Sequence, residues 1–403
     1  MEVFKDGKFF TALSKDRISP GPLGIRTYNR DKAFRGYTLF STAFGNVEYL
    51  IDMNGMVVHT WPVIHSQLAE ILPNGHLLVD DYGHGLYELL PAGDVIWSWK
   101  HNYHHDFCLL PNDNIIVLIY KHEPVVEGFY VRAHAPQYMQ TDVVVEINRK
   151  GDVLWSFSFS EHVEDLCAVS GLSLSVSYVR ELPDGSLVEY GSADWAHTNT
   201  IEVLPDTPLG RKDNRFGAGN LLFSFRHLDI IGIIDRKKEE IVWAWGLGEL
   251  DGQHQPTMLS NGNILVFDNG TYRGYSRAVE INPATGEIVW EYKDGENFFS
   301  PYRSGVQRLP NDNTLICESD AGRIFEVTPG QEIVWDYYSP FMGQGSGNQG
   351  RHIYRATRYT DEQIEAVIAA RKEEMIVAVA DARRQPKRTF PEALQFYREG
   401  FGG

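Results

Sequence analysis

The stretch YHHDFCLLPNDNIIVL sets His104, His105 and Asp106 five to seven residues ahead of Pro111 in a Pro-Asn-Asp-Asn turn. Imidazole is the side chain whose proton affinity lies nearest neutral pH. A pair of them therefore suits proton transfer, nucleophilic attack or metal ligation. Other units of the chain repeat the placement. His254 stands six residues before Ser260, which takes the proline position of its own turn, while His65 and His197 stand eight before Pro73 and Pro205. Six and eight share a parity, so on extended strands His65, His105, His197 and His254 point to one side. Arg303 and Ser304 occupy the equivalent place in a further unit, and His352 does so in a segment near the end of the blades. A lone histidine beside a strand is usually a satisfied polar residue. Repetition at matched offsets points instead to one shared site. His59, His76, His84 and His122 fall outside the pattern and read as surface or packing residues.

The elements that carry these residues repeat as well. A turn followed by an apolar strand recurs as LPNGHLLVDD, LPNDNIIVLI, GAGNLLFSF, LSNGNILVFD and LPNDNTLICE. Each leads to a glycine-containing turn and a strand ending in tryptophan, as in AVEINPATGEIVWEY. Those tryptophans, Trp61, Trp97, Trp155, Trp243, Trp290 and Trp335, are separated by 36, 58, 88, 47 and 45 residues. Spacings near 40 match one four-stranded blade apiece. The expectation is an all-β chain: a six-bladed β-propeller of four-stranded antiparallel blades around a channel. The 88-residue gap holds an extra hairpin, SYVRELPDGSLVEYG, read as an insertion and not as a seventh blade. The first unit lacks its leading strand, and RHIYRATRY (351–359) is the segment expected to supply it and close the ring. The domains expected are an N-terminal extension (1–35), the propeller (36–359) and a C-terminal helical tail (360–403) whose helix starts at Thr360 with Gln363 as a weakened capping box.

Bulk composition limits the partners. A net charge of −17 without any Lys/Arg-rich run excludes a phosphate-binding face and disfavours an anionic membrane. No apolar run reaches the roughly 18 residues of a spanning helix. Three cysteines, Cys108, Cys167 and Cys317, are too few for a disulfide framework, and the expectation is a soluble cytoplasmic protein. The partner expected is a small aromatic substrate, without nucleic acid or membrane, with homodimerisation left open.

The motifs HHDF ahead of LLPNDN, DWAHTN, SFRHLD, GLGELDGQH ahead of LSNGNILVFDNG, RSGVQRLPNDNTLICESDAGRIFEVTP and YRATRY, taken together, resemble the arylsulfotransferase family over roughly residues 36 to 359. The resemblance implies a six-bladed propeller that moves a sulfuryl group between phenols through a sulfated histidine, with no cofactor. It makes His254, in GQH, the nucleophile. It makes Arg226, His197 and His105 the groups that hold the sulfate oxygens and the leaving phenolate. His65, His104, Arg303, His352 and Tyr302 are then expected to line the substrate.

Two other readings stand beside it. In a metal-dependent lyase or hydrolase, His65, His105, His197 and His254 would hold one divalent transition ion and act on an aromatic or sugar-acid substrate. In a non-catalytic binding propeller the rim would hold a protein partner. The stretches 122–141 and 160–196 are the longest irregular ones, and Phe129, Tyr130, Tyr138, Tyr178 and Tyr302 offer rings for stacking.

Overall fold

The computed structural model describes residues 2–5, 8–11, 22–124, 138–172, 179–181, 187–189, 194–343 and 350–370. Six antiparallel sheets form the blades of a propeller. Their innermost strands are Ala69–Ile71, Tyr103–Leu109, Thr198–Val203, His254–Met258, Gly305–Arg308 and Ile353–Tyr359. The last of these pairs with Tyr37–Thr42, so the C-terminal strand completes the first blade and closes the ring as expected. Closure removes the free sheet edge that a linear array would expose. Gly24–Tyr28, within the stretch read as an N-terminal extension, adds a fifth strand to the outer edge of Ile333–Tyr338.

Blades are stacked on both faces, so their middle strands read as continuous apolar runs. Ile115, Ile116, Val117 and Leu118 are each fully buried. Side chains from adjacent sheets make a core between every neighbouring pair; Leu118, Val144 and Phe157 of one blade meet Phe223, Phe225 and Ile234 of the next. Each such side chain contributes about 1.5–3 kcal/mol when fully buried.

A polar fastener recurs between blades. In four blades a glutamate on the third strand accepts a hydrogen bond from the residue after the turn: His76 to Glu88, Asn114 to Glu146, Asn263 to Glu280 and Asn313 to Glu326, all at 2.6 Å. The same glutamates meet an arginine of the next blade: Arg149, Arg236, Arg308 and Arg358. Each of those arginines lies over the tryptophan of the preceding outer strand, Trp97, Trp155, Trp290 or Trp335. Indole N–H groups reach the next blade too, as with Trp335 to the Met53 carbonyl at 2.9 Å.

The extra hairpin is present as Val179–Glu181 paired with Leu187–Glu189, a separate sheet outside every blade. The stretch before it is not irregular throughout, since Val163–Ser170 forms an α-helix. Thr360 and Gln363 make the expected reciprocal cap, at 2.9 and 3.2 Å, and residues 365–370 are helical. Ile364 and Val367 pack into the core of the first two blades. The remainder of the tail, together with Phe129, Tyr130 and Tyr178, lies outside the described residues. No helix among the described residues is long and apolar enough to cross a membrane. Cys108, Cys167 and Cys317 form no disulfide.

Candidate functional site

The inner strands do not enter the channel as extended chain. His65, His105, His197, Gln255 and Arg303 all have left-handed backbone, with φ between 46° and 63°. Strand register breaks beside four of the entries, between Tyr103 and Phe107, Thr198 and Thr200, His254 and Thr257, and Ile353 and Ala356. These are β-bulges, which bend a strand and re-aim its side chains. A non-glycine residue in this conformation costs about 1 kcal/mol or more and persists where the surroundings over-determine it. Alternation holds only along extended backbone, so parity is no guide at these entries: His105, His197 and His254 converge, and His65 does not.

The consequence is visible at His65. It lies at the end of the outer strand Val57–Ser66, and its side chain is exposed, away from the imidazole cluster. His352 is also elsewhere: it is buried against Asp320, with His352 Nδ1 3.3 Å from the carboxylate. Arg303 lends its backbone, while its guanidinium lies over Phe44 and Tyr302.

The histidines that do converge are His104, His105, His197, His227 and His254. Ring centroids lie 4.2 Å apart for His104 and His105, which are tilted, 4.6 Å for His105 and His197, which meet edge-on, and 4.7 Å for His197 and His227, which stack. His105 Nε2 lies 3.0 Å from His197 Nε2. The Nδ1 atoms of His104 and His105 are anchored from other strands, and that of His197 from the turn just before it. His104 Nδ1 meets Asp142 at 2.6 Å, His105 Nδ1 meets the Tyr354 hydroxyl at 3.1 Å, and His197 Nδ1 meets the Asp194 carboxylate in a very short contact.

Proton positions follow from this network. Asp194 is held below the usual carboxylate range: burial works against ionisation, but His197, His227 and His104 outweigh it. An ionised Asp194 accepts from His197 Nδ1–H, which leaves the His197 Nε2 lone pair to accept from His105 Nε2–H. His105 Nδ1 then accepts from the Tyr354 hydroxyl. Burial, then the neighbouring His104, His197, His254 and Arg226, hold His105 well below the ordinary imidazole range. Burial likewise pushes His227 down to about 3, helped by His197 and Arg226. For His104 burial is outweighed by Asp142, and its affinity for a proton is raised.

His254 is built differently. Its Nδ1 lies 2.8 Å from Asn269 Oδ1 and 3.1 Å from the Gly252 carbonyl. The Asn269 amide is fixed in that orientation because its Nδ2 donates to the Ser300 and Arg303 carbonyls at 2.8 and 3.0 Å. His254 thus carries its proton on Nδ1, and the lone pair on Nε2 accepts from the Arg303 backbone N–H at 3.2 Å. Burial first, and the Arg226 guanidinium second, keep the ring well below the ordinary range. Arg226 is buried in the turn Arg226–Leu228, which is hydrogen-bonded to His197 and Ala196 through its backbone. The result is a neutral, oriented imidazole with a cation close by.

Further along the same strands Asp106 and Arg355 pair across the channel at 3.2 Å. A cavity of about 670 Å³ follows, lined by Glu70, Asp106, Cys108, Glu202, Gln307 and Arg355 among others. Burial raises Glu70 to about 7 and Glu202 to about 8.

His227, Asp142, Tyr354 and Asn269 escaped the sequence reading. His227 alone left a signal, standing next to Arg226 in SFRH. The others reach the cluster from strands 38, 249 and 15 residues from the histidines they hold.

No curated protein matches the chain. Solved structures similar to it include a protein of unknown function from Bacteroides caccae, with 14% identity over 81% of this chain and 99% of that one and a TM-score of 0.49. A streptogramin B lyase has 14% identity over 89% and 97%, with a TM-score of 0.44. An inactive variant of virginiamycin B lyase from Staphylococcus aureus has 12% identity over 79% and 88%, with a TM-score of 0.42. These likenesses bear on neither substrate nor reaction. The model of the Arylsulfotransferase (ASST) family matches residues 91–339, which include His104, His105, His197, Arg226, His227, His254 and Asn269, and the chain belongs to that family.

Proposed function

We propose that the protein transfers a sulfuryl group from an aryl sulfate to a phenol, with His254 as the group that carries it. The observation that supports this is the state of His254: neutral, protonated on Nδ1 by way of Asn269, near the buried Arg226, with an Nε2 lone pair that exchanges the Arg303 backbone N–H for sulfur. Such a nitrogen attacks sulfur as the bond from sulfur to the aryl oxygen breaks, giving an N-sulfohistidine and a phenolate. Arg226 offers a planar, permanently charged fork to the sulfuryl oxygens. The phenolate takes its proton from water, since every N–H and O–H of the Tyr354–His105–His197–Asp194 chain is donated within the chain. An acceptor phenol returns a proton as its oxygen attacks sulfur, and the nitrogen–sulfur bond breaks to restore neutral His254.

The experiment is transfer from p-nitrophenyl sulfate to a phenol by the wild-type chain and by Arg226→Gln. Loss of one such fixed donor to developing charge costs about 100–1,000-fold in rate. Transfer that survives Arg226→Gln unchanged rejects the reading.

A further inference from the structure

We propose that His104, His105 and His197 form a binding site for one divalent transition metal ion, for which zinc is the best-matched occupant. One ligating nitrogen from each of the three lies within 4.8 Å of the others. Their Nδ1 atoms are already engaged, by Asp142, Tyr354 and Asp194, so Nε2 is the nitrogen each ring has to offer. A carboxylate or hydroxyl behind each imidazole is the arrangement that fixes the tautomer and orientation of metal-ligating histidines.

The spacing of the His105–His197 pair decides between ligands. A substrate oxygen hydrogen-bonded to both Nε2 atoms would hold them about 5 Å apart, since each bond spans about 2.9 Å. Two nitrogens on a tetrahedral zinc, each about 2.0–2.1 Å from it, stand about 3.3 Å apart. The observed 3.0 Å is the direct hydrogen bond between the two rings; zinc needs the pair to open by only about 0.3 Å, a bridging oxygen by about 2 Å. An ion there takes the place of the proton that the two rings otherwise share. Two carboxylates, Asp142 and Asp194, stand behind the rings. Three imidazoles leave the fourth tetrahedral position for water or a substrate oxygen. His254 stands outside this group of three. This replaces the set expected from the sequence, with His104 in and His65 and His254 out.

The inference does not rest on the sulfuryl-transfer reading, because its test is binding. The full chain is stripped with a chelator, then titrated with Zn²⁺ by calorimetry and with Co²⁺ by visible absorption. Expected are one equivalent bound and the intense d–d bands of tetrahedral, nitrogen-ligated cobalt. His105→Ala/His197→Ala should abolish binding, and Asp142→Asn or Asp194→Asn should weaken it about 10–100-fold. His254→Ala should bind zinc as the wild type does while losing transfer, which separates the two proposals. Absence of saturable binding, the weak bands of octahedral cobalt, or full affinity in the double variant would overturn the site. Should the double variant lack the wild-type circular dichroism, the cobalt spectrum of the wild type decides alone.

Discussion

At the residue scale, reactivity is set by which nitrogen of each imidazole is engaged. Asn269 fixes the proton of His254 on Nδ1 and leaves Nε2 as the nucleophile. Removing that acceptor leaves only the longer contact to the Gly252 carbonyl, so Asn269→Ala should lower transfer about 10-fold, the worth of about one hydrogen bond. The pH dependence distinguishes this from a titration effect. His254 is already neutral above the acid range, because its folded-state proton affinity is depressed, and the Asn269 bond is a contribution that raises it. Losing the bond depresses it further, so the acid limb cannot move toward neutrality. A rate for Asn269→Ala that recovers as pH rises through 7–8 would contradict the assignment. His105, His197 and His254 were legible from repeat offsets, which also picked His65 and missed His227. Their partners were not, because Asp142 and Tyr354 sit on other strands with nothing local to mark them.

At the element scale, the bulges and the glutamate–arginine–tryptophan fasteners do separate work. The bulges turn His105 and His197 to face each other, and sequence counting missed them because no glycine advertises the left-handed turn at these positions. The fasteners hold the blades in register so that the entries align. Arg358 shows the dependence most clearly. It is completely buried, donates to Thr38 and the Phe34 carbonyl at 2.7 Å, and faces an equally buried Glu326 at 3.5 Å. Arg358→Ala should destabilise the fold by about 3–5 kcal/mol in denaturant unfolding, because it strands a buried charge. Adding Glu326→Gln should recover part of that loss. A destabilisation below about 1 kcal/mol would mean that the fastener does not hold the ring. Strand order and the Trp-marked outer strands were legible, since both follow from turn chemistry and apolar runs. Closure by 351–359 was legible only as a missing partner for the first unit.

At the scale of the whole molecule, the channel carries two opposed sets of titrating groups. His105, His227 and His254 have folded-state affinities below the ordinary imidazole value of about 6.5, so the unfolded chain binds more protons and stability falls as pH drops below that value. Glu48, Glu70 and Asp80 are raised to about 7 and Glu202 to about 8, so their folded forms hold protons that the unfolded chain releases. That contribution is complete below about pH 4 and is lost as pH rises toward 8. Above 6.5 these carboxyls and His104, whose affinity is raised, act in the same direction, and stability should fall with rising pH. Glu202→Gln keeps an acceptor for the Met258 N–H, which now reaches Glu202 Oε2 at 2.9 Å, and should raise the thermal midpoint at pH 8 by a few degrees. An unchanged pH dependence would show that Glu202 ionises freely in the folded channel.

The measurement that decides the proposed reaction is intact and peptide mass spectrometry of the protein quenched during turnover of p-nitrophenyl sulfate. A sulfuryl adduct on the peptide containing His254, absent in His254→Ala and discharged when a phenol is added, is the predicted result. Turnover without any adduct, or an adduct that persists in His254→Ala, would contradict transfer through this histidine.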